Sequence, residues 1–161
     1  MQSLLLLVDA ALVASLGVWM AVAVADNWRR PKLNEDSVAM VVRFDLMAQE
    51  YPEDYALLAD RRIDDPRLIH IMFHAIRLAE TVAAIALLVS AGLLVLAAVG
   101  AVDAGLATGI AIVSATVFTL IWGSFVTGGN YFAYWYCHQW AQSNHFMLMY
   151  WGFFVLLVLM Q

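Results

Sequence analysis

Four histidines, His70, His74, His138 and His145, are the chain's imidazoles, and neutral imidazole is a common ligand for haem iron, copper and zinc. His70 and His74 are spaced i and i+4. With Arg77 and Glu80 they fall within about 120° of arc, so a helix presents all four on one face. His138, Gln142 and His145 follow the i, i+4, i+7 stripe of another helix. If both helices start at one membrane surface, the two histidine pairs converge at similar depth, where they could hold haem or copper, although no cofactor is predicted outright. Ordinary headgroup-level positions are the stronger reading of the same residues, because a four-residue spacing does not separate ligands from neighbours. No zinc-type cysteine pattern, phosphate loop or nucleophile elbow accompanies them, so no catalytic set is assigned.

Arg77 and Glu80 pose a separate question. Ionisable groups inside a span are costly and tend to pair or to face a wet cavity. Their i, i+3 relation allows an intrahelical ion pair, with the arginine stem reaching outward; the functional alternative is a polar site for a proton or a quinone headgroup. The segment 128–140, GGNYFAYWYCHQW, holds Tyr131, Phe132, Tyr134, Trp135, Tyr136 and Trp140 within ten residues. Rings with polar tips belong at headgroup level, which reads as an aromatic belt; a ring-lined pocket is the alternative. Cys137, the single cysteine, has no basic neighbour in sequence to activate it.

These side chains need elements to hold them, and the composition says in which solvent. Of 161 residues, 64% are hydrophobic and 13% charged, against about 45–50% and about 25% in soluble domains. A chain this apolar belongs in lipid. A bilayer core needs about 20 apolar residues in a helix, and spans are expected at about 4–25, 68–100, 105–126 and 141–160. Ala21, Ala23 and Ala25 imitate a signal-cleavage site, but the run is too long and has no positive n-region. No alternating strand pattern suggests a barrel, so the expected fold is an all-α, four-helix transmembrane bundle.

Net charge −5 argues against nucleic acid. All eight basic residues lie between Arg29 and Arg77, and eleven of thirteen acidic ones between Asp26 and Glu80. Four spans put both termini on one face, and charge counting makes segment 27–67 cytoplasmic with the termini outside. Within it, about 35–62 is expected to be helical and interfacial. Asn34 serves as N-cap, Val38, Val41, Val42 and Leu46 recur on one side, and Tyr51-Pro52 is the stop. Pro52 opens a second short helix, and Asp65-Pro66 supply the N-cap and first residue of span two. Gly128-Gly129 is expected to turn the chain after span three. Ala107, Ala111, Ala115, Thr119 and Gly123 are spaced by four along that span, a stripe that lets helices approach closely inside the bundle or across an oligomer contact.

The chain also resembles a family of predicted small bacterial integral membrane proteins of unknown function. The likeness rests on Gly128, Gly129, Phe132, Trp135 and Trp140, at that family's glycine pair and Trp/Phe-rich stretch, supported by Asp26-Asn27, Phe44-Asp45 and Glu80. Asn130 stands where the family tends to carry Glu, Tyr131 where it has Trp, and Tyr136-Cys137 where it has Gln-Ser, so no role tied to that acid carries over. The resemblance implies a four-helix protein of the bacterial inner membrane and no established activity. The leading expectation is a non-catalytic accessory or scaffold subunit, binding other membrane proteins or itself through the small-residue stripe and segment 27–67. A haem- or metal-binding redox subunit using the four histidines is the alternative. A small transporter is the third reading, short of intramembrane polar groups.

Overall fold

A computed structural model describes residues 1–161. Four helices are long and apolar enough to cross a membrane: α1 (Gln2–Arg29), α5 (Pro66–Ala98), α6 (Ala104–Tyr131) and α8 (Gln139–Leu159). No strand is present, and the chain is an all-α transmembrane bundle. Between α1 and α5 lie α2 (Pro31–Val42), α3 (Asp45–Glu50), α4 (Pro52–Ala56) and a 3-10 turn at Ala59–Arg61; the one-turn α7 (Tyr134–Cys137) precedes α8. In chain order, α1 packs along α5, α5 against α6 and α6 against α8, while α1 also touches α6 and α8.

The boundaries follow local chemistry. The Asp65 side chain accepts from Arg67 N at 2.8 Å, with Pro66 as first helical residue, so α5 starts as the sequence predicts. Asp103 caps α6 in the same way, accepting from Leu106 N at 2.8 Å. The tight turn between them places Gly100 at φ 79°, where a Cβ is strained. Unequal lengths matter more. α5 has 33 residues and α8 has 21, about 50 Å against about 32 Å. α8 just crosses the hydrocarbon, whereas α5 overshoots and forms the post on which the connecting helices are mounted.

The small-residue stripe works inside the bundle. Ala107, Ala111 and Ala115 are fully buried and Thr119 nearly so, with Gly123 half-exposed. A Cβ on Gly152 of α8 would overlap Thr119 Oγ1 and come within 2.9 Å of Phe118 Cδ1, so α8 sits against α6 at backbone distance. Lipid gives no hydrophobic reward for helix association, and such close contact supplies dispersion instead. Of the two roles expected for this stripe, its buried residues take the one inside the bundle, against the chain's own helices.

Two expectations are corrected. The first interfacial helix does not run unbroken from an Asn34 cap to the Tyr51-Pro52 stop. Pro31 opens α2, and the helix breaks at Arg43–Phe44, where Phe44 adopts φ 56°. That bend buries Phe44 and Met47 with Ala133. The chain then returns past α2 through Ile63 N donating to Val42 O at 2.9 Å. Gly128 and Gly129 stay helical, and the turn after α6 comes later, at Ala133 with φ 52°.

Candidate functional site

Antiparallel alternation brings the end of α1, the start of α5, the end of α6 and the start of α8 to one surface, under α2–α4 and α7. Nearly all the residues of chemical interest fall in this layer, in three groups.

The first group ties α1, α2 and α5 together. Asn27, in the last turn of α1, is buried and donates through Nδ2 to Glu80 Oε2 at 2.9 Å. Asn34 of α2 donates to Asn27 Oδ1, so the amide bridges two helices to the carboxylate. Arg77 is also buried, but it does not pair with Glu80. Its guanidinium lies over the Trp28 ring, 3.8 Å from the centroid, and Nη2 donates to His74 Nδ1 at 2.5 Å. The expected intrahelical ion pair is therefore absent. α1 supplies each group with a separate partner, Trp28 for Arg77 and Asn27 for Glu80, and a cation over an indole face is itself favourable. Trp28 Nε1 in turn donates to Thr81 Oγ1 at 3.1 Å. At the outer edge, His70 Nδ1 lies 2.7 Å from Glu35 Oε1, and the His70 and His74 rings meet edge to face at 4.1 Å. This arrangement fastens α2 across α1 and α5 at two points, Asn34–Asn27 and Glu35–His70.

The second group lies between α6, α7 and α8. The His145 ring stacks on Trp122 at 5.6 Å and lies 4.9 Å from Phe125, while His138 lies 5.6 Å from Tyr134. His145 Nδ1, Trp122 Nε1 and Gln142 Oε1 are buried without a protein partner. The convergence of all four histidines is thus corrected. His70 and His74 serve the α2 latch, His138 and His145 sit among rings on the far side of α6, and no three metal-ligating side chains are grouped. Helix order accounts for the split, since α5 and α8 are separated by α6.

The aromatic segment divides as well. Tyr131, Trp135 and Trp140 are exposed, the last at 76%, and form the belt. Phe132 and Tyr134 turn inward. Phe132 meets Phe44 at 5.8 Å, Tyr51 meets Tyr136 at 5.1 Å, and Arg61 Nη1 donates to Tyr131 O at 3.1 Å, so these contacts bind the cap, α2–α4 with the Ala59–Arg61 turn, to the end of α6 and to α7. Burial, then Glu50, pushes the Cys137 thiol up, which keeps it protonated and unreactive.

The third feature is a cavity of about 370 Å³ between α2, α5 and α6. Val38, Val41 and Val42 of α2, Ile76 of α5 and Phe125 of α6 line it, with Phe132 and Tyr134 from the stretch between α6 and α8. Eleven of its thirteen lining residues are hydrophobic.

Sequence reasoning missed Asn27, Trp28, Asn34 and Glu35 as partners of the α5 face. The available signal was positional: Asn27 and Trp28 end span one at the surface where span two begins. No curated protein and no solved structure matches the chain. Residues 5–161 match one family throughout. With four apolar helices, one polar surface and the glycine-aromatic segment joining α6 to α8, the chain belongs to the family described as "Predicted small integral membrane protein (DUF2165)".

Proposed function

We propose that the protein is a non-catalytic accessory subunit of the bacterial inner membrane, and that its cap is a cytoplasmic docking platform for another membrane protein or a second copy of itself. The observation that carries this reading is the construction of the cap. Its helices have an apolar cluster apart from the main core, Phe44 and Met47 packed with Ala133 of the turn after α6, and Arg61 anchors them to Tyr131 O. Arg62 braces the return loop, with Nε 2.8 Å from both oxygens of Asp64. A surface ordered in advance loses little entropy when a partner settles on it. Its interspersed charges favour orientation and partner choice over raw affinity. Leu57, 78% exposed among these charges, offers an apolar anchor. Eight basic residues on this side against none on the terminal face support the cytoplasmic assignment.

A photo-cross-linking residue at Leu57, activated in native membranes, is expected to yield a discrete protein adduct. The same group at Val113, 63% exposed on the lipid side of α6, serves as control and yields lipid adducts. Absence of any protein adduct at Leu57, together with a lone monomer after mild-detergent purification, overturns the reading.

A further inference from the structure

We propose that the cavity between α2, α5 and α6 is a lipid site that takes one acyl chain of a bilayer glycerolipid and hydrogen-bonds its ester carbonyl through the Tyr134 hydroxyl. At about 370 Å³ the space lies within the range of small-molecule sites. Its walls decide what enters. Water needs two to four polar partners to occupy a cavity, and apolar cavities stay dry while admitting apolar guests. Here the polar side-chain atoms are two hydroxyls. Ser124 Oγ already donates to Ile121 O at 2.6 Å. Tyr134 OH makes no hydrogen bond within the protein, and burial alone pushes its phenol up, so it remains a neutral donor.

The cavity opens towards lipid. Ala75 and Ala79 on α5 and Ser124 on α6 line it and are exposed. Small residues facing each other normally let two helices close; with a cavity between them, they form a portal at the α5–α6 seam instead. The depth is that of the lipid ester region, because the exposed rings of Tyr131, Trp135 and Trp140 mark the headgroup boundary at the same end of α6. An apolar guest entering sideways at this level, with a neutral acceptor near its head, is an acyl ester. A charged headgroup is left outside, since no charged side chain lines the cavity.

The test is native mass spectrometry of the full-length protein after exchange into a delipidating detergent, with dioleoyl phosphatidylethanolamine as the added probe. Wild type is expected to retain one phospholipid. Ala79→Trp, which fills the portal from an exposed position, is expected to reduce retention about tenfold. Tyr134→Phe, which loses one net hydrogen bond, reduces it about fivefold. A photo-cross-linker at Ile76 in the otherwise native protein is expected to gain the mass of one phospholipid. Equal retention by a folded Ala79→Trp variant, absence of the Ile76 adduct, or displacement of the phospholipid by an added isoprenoid quinone each overturns the proposal.

Discussion

Asn27 is the smallest unit on which the loop-side layer depends. Its amide donates to Glu80 and accepts from Asn34, so three helices meet at one side chain. Asn27→Ala leaves a buried carboxylate oxygen without its donor, a loss of about 1–3 kcal/mol. Glu80→Gln keeps an acceptor for Asn27 and is expected to cost much less. Unfolding of the micelle-bound protein by titration with denaturing detergent, followed by circular dichroism, should order the three proteins as wild type, Glu80→Gln, then Asn27→Ala. At this scale the sequence was only half legible. Periodicity put His70, His74, Arg77 and Glu80 on one face of α5, and they do share it. Spacing along a helix says nothing of the side chains another helix brings, so Arg77 was paired with Glu80 when Trp28 was its partner.

Elements were easier to read than their contacts. The four spans, the Asp65-Pro66 start and the Tyr51-Pro52 stop all follow from hydropathy and from proline chemistry that is local. The break at Phe44 does not, because a non-glycine residue turns left-handed here for a reason far off in sequence, the burial of its ring beside Ala133. The stripe on α6 was visible, but the helix that uses it was not. Gly152→Leu would drive α8 away from Thr119 and Phe118, with an expected loss of about 1–3 kcal/mol. Gly109→Leu, where a Cβ meets nothing within 4 Å, should change the same unfolding midpoint little. Equal effects of the two substitutions would mean that α6 and α8 do not meet at Gly152.

The whole molecule carries basic charge at one end only. Its terminal face holds no basic side chain, while the cap carries charges of both signs. Even span number and this asymmetry together predict that reporters fused after Gln161 and before Met1 respond alike, both as external, while a cysteine at Leu57 is labelled from the cytoplasmic side. Opposite responses from the two termini would require an odd number of crossings. The two left-handed residues outside glycine, Phe44 and Ala133, belong to opposite halves of the chain and share one apolar cluster. Each backbone kink costs about 1–2 kcal/mol and is held by cover that the other supplies. They therefore work as a clasp, each jaw held bent by the other: releasing the bend before α7 also loosens the helices over α5, while α8 stays seated along α6.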